Sequence, residues 1–365
     1  MAWVIENHGA RGTTYFGCFR GPDGKQKSAG SFASRRESLR AANREEQQVL
    51  AGGWHDAKLG RITFKQYVED EWLPSKHLED STKAAYASYL KSHFYPAFGD
   101  RQLGHVTSSV VQDWVTKAAA DGLSARSIRK YHTMLHSIFK RAVRDGLIIA
   151  NPCEHTEFPK TIPFKAHVLT PDEYERIIDA IPRRYQLMVE TAIETGTRWG
   201  ELIALKPRHI DFLRRTISIE ETIIEVSKKV TGDGERMKSK PYPKDNEPRL
   251  IGVRQELLDT LAEHIRVNGI DADDLLFTNT AGNPISRNTF RTRVWMPATQ
   301  KAKVGIRFHD LRHAHASWLL AGGSDLKSVM DRMGHAQIMT TQKYLHSLPE
   351  ADQKNLDALS RMKRR

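Results

Sequence analysis

Cysteine is nearly missing from this 365-residue chain: there are two, Cys18 and Cys153, far apart and flanked by no ligand-like partners. They make neither a disulfide framework nor a zinc site, so a reducing cytoplasm is the expected setting. No uninterrupted apolar run approaches the length of a membrane span, and no secretory apolar region follows the Met-Ala-Trp start. Neither a membrane partner nor export is therefore expected. Internal repeats and low-complexity tracts are also missing. Gly21-Pro22-Asp23-Gly24-Lys25 lacks the spacing and the Ser/Thr of a phosphate-binding Walker loop, and no acidic cluster has metal-ligand spacing. The expectation is a chain without cofactor or metal.

Positive charge is present in excess. Fifty-six Lys and Arg against 44 Asp and Glu give a net charge of +12. Such a balance favours a polyanionic partner, and nucleic acid, an anionic membrane surface or an acidic protein would each satisfy it. Hydrophobic content of 39% and charged content of 27% suit soluble globular domains, and the length suggests two or three of them.

Local patterns divide the chain. Trp3 to Glu6, Thr14 to Arg20 and a run ending near Phe32 read as strands, with Gly21-Pro22-Asp23-Gly24 as a turn. Ser34 with Glu37 predicts a capping box that opens a helix to about Leu50, closed by Ala51-Gly52-Gly53. From Ile62 to Pro159 the pattern is helical. Thr63, Ser81, Thr107 and Ser124 are expected N-caps, and Gly99, Gly122 and Gly146 mark helix ends. Four helices there would form a compact bundle, followed by an extended linker from Asn151 to Pro163. Thr170-Pro171-Asp172-Glu173 opens a mainly helical region, interrupted by β-rich stretches at Thr216 to Val253 and around Leu275 to Phe277. The fold expected is α+β and mostly α: a sheet-plus-helix module at 1–55, a helical domain at 62–159, and a mixed domain at 165–365.

Single features of the last domain have ordinary readings. Arg198 could be a surface side chain at a helix junction, and Arg312 a solvated one. His335 could end a helix, and Tyr344 could simply pack. His309 and His313 lie four apart, as in zinc sites, but the residues between are Asp-Leu-Arg, and an arginine between ligands would repel the ion. His315 reads as a packing or solvent-facing residue.

Together they form a pattern. Thr195-Gly196-Thr197-Arg198-Trp199-Gly200-Glu201-Leu202 precedes His309-Asp310-Leu311-Arg312-His313 by about 110 residues. Met333-Gly334-His335 and Thr340-Thr341-Gln342-Lys343-Tyr344 follow. These strings resemble the tyrosine recombinases of the phage-integrase type, whose motifs are T-G-x-R-x-G-E-L, H-x-L-R-H, L-G-H and T-T-x-x-Y. Cleaving a phosphodiester builds negative charge on non-bridging oxygens, and Arg198 and Arg312 can each offer a planar fork to it. The resemblance implies Tyr344 as nucleophile, leaving a 3′-phosphotyrosine and a free 5′-hydroxyl, with strand exchange through a Holliday junction. It implies His309 as base or transition-state stabiliser, His335 as a further donor, and Glu201 as support for the arginines. A hairpin lysine protonates the leaving oxygen in the family. Lys244, five residues before Arg249, fits best, with Lys238 and Lys240 as competitors.

The resemblance also implies double-stranded DNA attachment sites as partners. Residues 62–159 resemble the core-binding domain, and Arg126, Arg129, Lys130, Lys140, Arg141 and Arg144 on its last helix suit phosphate contacts. Residues 1–55 resemble an arm-site module by architecture. A homotetramer on DNA, a DNA-bending protein and an excision factor follow as expected partners, in a bacterial host. The tail after Tyr344, with Leu348, Leu356 and Leu359, would dock on a neighbouring protomer. Rival readings are a chromosome-dimer resolvase, a type IB topoisomerase, and a non-catalytic DNA-binding regulator on the same scaffold.

Overall fold

A computed structural model describes residues 1–9, 12–52, 54, 59–161, 167–225, 236–241 and 248–334. The chain divides into two compact units, Met1–Leu78 with Ala85–Ile162, and Glu79–Ala84 with Pro163–Arg365.

The first unit opens with an antiparallel sheet of β1 (Trp3–Gly9), β2 (Gly12–Arg20) and β3 (Gln26–Phe32), covered by α1 (Arg35–Leu50). Close approach of helix to sheet depends on Gly17, where a Cβ would stand 2.3 Å from the Ser38 carbonyl oxygen. The capping box expected at Ser34 is not formed: Ser34 occupies the N-cap but its side chain makes no cap hydrogen bond.

Four helical runs follow. The first joins α2 (Phe64–Tyr67) to a π-helical turn (Val68–Trp72), and the second joins α3 (Asp80–Tyr89), a π-turn (Leu90–Phe94) and α4 (Tyr95–Phe98). α5 (Ser108–Ala120) and α6 (Ala125–Arg144) complete the set. Thr63, Thr107 and Ser124 cap their helices through side-chain oxygens. The N-cap expected at Ser81 falls elsewhere: α3 begins at Asp80, and the Glu79 carbonyl accepts its first backbone bonds, which places Ser81 within the helix. Phe64, Trp72, Phe94, Leu135 and Phe139 lie in the core of the run.

The π-turns have a sequence cause. Each ends two residues before a proline: Pro74, Pro96, and Pro297 in the second unit. Proline has no N–H and its ring crowds the carbonyl four residues back, so the helical register widens by one residue just before it. Accordingly, Leu73, Tyr95 and Met296 bond to the carbonyls of Val68, Leu90 and Arg291, five residues back.

The linker expected from Asn151 is not extended at its start. Asn151 donates to the His136 carbonyl oxygen and accepts from the Cys153 N–H, folding 152–155 into turns and burying Cys153 against the bundle. An Asx side chain that bonds its own backbone favours such a turn over an open chain.

The second unit contains α7 (Pro171–Ala180), α8 (Arg183–Thr195) and the short α9 (Trp199–Leu202), then strands β4 (Ile210–Asp211), β5 (Thr216–Ile219), β6 (Glu221–Glu225), β7 (Met237–Pro241) and β8 (Arg249–Gly252). β4, β5 and β8 form one antiparallel sheet and β6–β7 another. Then come α10 (Gln255–Asn268), α11 (Arg287–Phe290), a π-turn (Arg291–Trp295), α12 (Met296–Ala302), α13 (Asp310–Ala321) and α14 (Leu326–Met333). Thr170 and Glu173 close the expected capping box. No strand forms at Leu275 to Phe277: the Leu276 N–H bonds to the Leu205 carbonyl and its own carbonyl meets His264, leaving no partner edge. Ile217, Ile251, Leu258, Trp295 and Leu311 lie in the core of this unit.

Candidate active site

The first motif sits at a helix junction. α8 ends on Gly196, whose φ of 63° is left-handed, and a Cβ there would stand 2.5 Å from the His315 ring. Glycine is required on both grounds. The chain reverses and places Arg198 at the N-cap of α9. Trp199 then packs on Phe290 and Phe308, each with ring centroids 5.1 Å away. Phe308 directly precedes His309, so this aromatic contact ties the segment bearing Arg198 to the one bearing His309.

Glu201 is the buried hub, with 1% exposure. Its carboxylate accepts from the Arg198 guanidinium at 2.9 Å and from the Arg198 backbone N–H at 2.9 Å. The same carboxylate accepts from Arg249 Nη2 at 2.5 Å. Burying one carboxylate between two guanidiniums satisfies its charge, where a lone one would be expensive.

The guanidiniums converge on the end of α14. Arg249 Nε donates to the Arg332 carbonyl at 3.1 Å, Arg312 Nη2 to the Met333 carbonyl, and Arg198 Nη2 to the Gly334 carbonyl at 2.9 Å. Arg312, 3% exposed, also donates to the Gly196 carbonyl at 2.5 Å. Helix ends leave carbonyls unpaired and carry partial negative charge, which cations there satisfy. Both arginines of the sequence motifs are thus fixed by acceptors before any ligand arrives, and Arg198 keeps 37% of its side chain exposed.

His309 occupies the N-cap position of α13 without a side-chain cap hydrogen bond, its ring centroid 5.0 Å from that of His313. Packing around its ring first, then His313 and Arg312, hold His309 down to about 4. The residue as a whole keeps solvent access, so the shift reflects local protein density and neighbouring charge rather than full enclosure. Neutral imidazole is therefore the form at pH 7. His315 is buried as a packing residue: its Nδ1 meets the Ile193 carbonyl at 2.8 Å and its Nε2 accepts from Arg332 at 3.0 Å. Among the described residues no group of three or more His, Cys, Asp or Glu is placed to hold a metal ion.

Lys238 and Lys240 lie on β7, opposite Ile224 and Thr222. Lys244, His335 and Tyr344 lie outside the described residues, as do Leu348, Leu356 and Leu359; Lys244 falls between β7 and β8, and His335 directly follows Gly334.

In the first unit, Arg126, Arg129, Lys130, Lys140, Arg141 and Arg144 all fall on one face of α6, within roughly a third of the helix circumference at ~100° per residue. The buried residues Ile128, Leu135, Ile138 and Phe139 occupy the opposite face. The six are not equivalent. Arg141 and Arg144 approach Asp145 at 3.0 and 3.7 Å, Lys130 meets the Tyr89 hydroxyl at 2.7 Å, and Arg129 lies over the Phe158 ring at 4.4 Å. Arg126 and Lys140 are exposed.

Sequence reasoning missed two members of the cluster: Arg249 as second partner of Glu201, and Arg332, which donates to the Glu194 carbonyl at 3.0 Å. Their partners lie 48 and 138 residues away, beyond any local pattern.

The phage integrase family model matches residues 167–351, and that of the phage integrase N-terminal SAM-like domain matches residues 63–119. The chain belongs to the phage integrase family. This site-specific recombinase is similar to the putative prophage phiRv2 integrase of Mycobacterium tuberculosis, 26% identical over 305 residues, which cover 82% of this chain and 78% of the relative. Its fold is similar to the Tn1549 transposon integrase in complex with a circular intermediate DNA, with a TM-score of 0.70, 19% identity, and coverage of 82% of this chain and 99% of that one. A lambda integrase tetramer bound to a Holliday junction matches with a TM-score of 0.58 and 22% identity, over 90% of this chain and 92% of that one. Among the described residues of this recombinase, no helix is long and apolar enough to cross a membrane.

Proposed function

We propose that this recombinase integrates a phage or mobile element by cutting and rejoining double-stranded DNA attachment sites through a 3′-phosphotyrosyl intermediate. The observation that carries the reading is the placement of Arg198 and Arg312. Their guanidiniums are anchored on the carbonyls of Gly334 and Met333, next to His335 in the chain. Two fixed planar donors stabilise charge that develops on a scissile phosphate without reorganising, and loss of one such donor costs on the order of 10²–10³ in rate.

In the proposed reaction the Tyr344 hydroxyl oxygen attacks phosphorus and its proton passes to a base, for which neutral His309 is suited. The bond to the 5′-oxygen breaks, and Lys244 supplies the proton that makes it a hydroxyl. His335 adds a donor to the phosphate, and Glu201 holds the arginines. The covalent bond stores the energy of the broken one, so religation needs no ATP, and the two guanidiniums with His335 stand in for the metal ions that many nucleases use. A second such exchange resolves the Holliday junction within a homotetramer, an assembly supported by the tetrameric lambda integrase.

Residues 62–159 are assigned to core-site DNA, with the α6 face on phosphates, residues 1–55 to arm-site DNA, and 165–365 to catalysis. Two linked DNA modules raise avidity once bent DNA presents both sites, which assigns a role to a bending protein and, for excision, a directionality factor. The setting is the cytoplasm of a bacterial host.

The test is a nicked suicide substrate carrying the attachment site. Wild-type protein is expected to form a covalent protein–DNA adduct and Tyr344→Phe none. An undiminished adduct from Tyr344→Phe refutes the assignment.

A further inference from the structure

Three consecutive carbonyls at the end of α14 each receive a different arginine: Arg332 from Arg249, Met333 from Arg312, and Gly334 from Arg198. The backbone N–H of Gly334 satisfies the carbonyls before them, those of Met330 and Asp331. The three guanidiniums therefore take the acceptors that the helix cannot satisfy itself.

Arg249 differs from the other two. Its side chain is 9% exposed, against 37% for Arg198, and it spans from Glu201 to the α14 terminus. The aliphatic and guanidinium parts also lie against Gly334, where a Cβ would stand 3.1–3.3 Å from Nη1, Cδ and Cζ. Gly334 has a φ of 59°, so its backbone is left-handed as well as crowded. Glu201 binds Arg198 and Arg249 through the same two oxygens.

We infer that Arg249 is a positioning residue for phosphate recognition: it holds Glu201 and the chain at 332–334 so that Arg198 is presented to the scissile phosphate. The inference rests on the catalytic reading above. Arg249 acts through Arg198 and touches no substrate itself. Lysine replaces it only in part, because a single ammonium cannot hold both the Glu201 carboxylate and the Arg332 carbonyl in one plane.

The test compares Arg249→Gln and Arg249→Lys with wild type in the full-length protein, on two nicked suicide DNAs. One has an ordinary scissile phosphate. The other has a methylphosphonate there, with a methyl group in place of a charged non-bridging oxygen. On ordinary DNA the expected loss in adduct formation is about tenfold or more for Arg249→Gln, below the full loss of a direct donor. DNA affinity stays near the wild-type value. On the methylphosphonate, which has no charge to neutralise, the loss shrinks to a small factor. Arg249→Lys shows the same dependence on substrate in weaker form.

A structural role alone predicts equal losses on both DNAs, and that result overturns the inference, as does wild-type cleavage by Arg249→Gln. If Arg249→Gln fails to fold, Arg249→Lys decides between the two outcomes. Absence of any adduct from the wild-type protein on ordinary DNA defeats the catalytic reading itself, and the inference with it.

Discussion

Gly196→Ala and Gly269→Ala form a matched pair that isolates one contact. Both glycines end helices of the second unit in left-handed backbone, with φ of 63° and 60°. An L-residue in that region costs roughly 1–2 kcal/mol, which both variants share. Around Gly269 a Cβ meets nothing within 4 Å, so no further term arises. At Gly196 the Cβ falls 2.5 Å from the His315 ring, which hydrogen bonds to Ile193 and Arg332 keep from moving aside. Overpacking of this kind costs a further 1–3 kcal/mol or so, for a total of about 2–5 kcal/mol. The Gly196 carbonyl also accepts from Arg312, so the shift displaces a side chain proposed to receive the scissile phosphate. An ångström of misplacement can cost on the order of 10²-fold in rate. Denaturant unfolding followed by tryptophan fluorescence reads the first effect, since the unit carries Trp199, Trp295 and Trp318. Single-turnover adduct formation reads the second. Gly269→Ala should lose stability alone, and Gly196→Ala more stability together with cleavage. Equal destabilisation of the two variants, or normal cleavage by Gly196→Ala, refutes the reasoning.

Two further outcomes follow from charge. His315 is held down to about 3 by burial first and by Arg332 second, against an ordinary value of 6.5. Between those values the unfolded chain binds a proton that the folded one excludes, so stability rises with pH across that window and is lost on acidification. Unfolding measured at pH 4.5 and 7.5 should show a smaller difference in His315→Gln than in wild type; an unchanged difference counts against this assignment. On α6, Arg126→Ala and Lys140→Ala should each lower the slope of log affinity against log salt by about 1 if they neutralise phosphates. Arg141→Ala, whose guanidinium approaches Asp145 at 3.0 Å, should change the slope less, and wild-type slopes in Arg126→Ala and Lys140→Ala would place the DNA elsewhere.

Much of the architecture was legible locally, because its signals act over one turn of chain. The caps at Thr63, Thr107, Ser124 and Thr170 needed only neighbouring N–H groups. The misreadings had the same origin. Ser34 had the right spacing to Glu37, yet its side chain caps nothing, and the Asn151 side chain turned a predicted extended segment back onto the bundle. Spacing along a chain shows what is available to bond, and competition among distant partners decides what does.

The same division runs through the site. The order and residue types of Arg198, His309 and Arg312 were determined by the sequence alone, because the phosphate chemistry proposed for them restricts which side chains can serve. Only tertiary structure decided what holds them. Glu201 is shared with Arg249 from 48 residues away, and the end of α14 accepts from three arginines brought from the N-cap of α9, from β8 and from α13. No local pattern encodes those pairings. They arise because a buried carboxylate and unpaired helix carbonyls are satisfied only by donors that the packed core delivers to them.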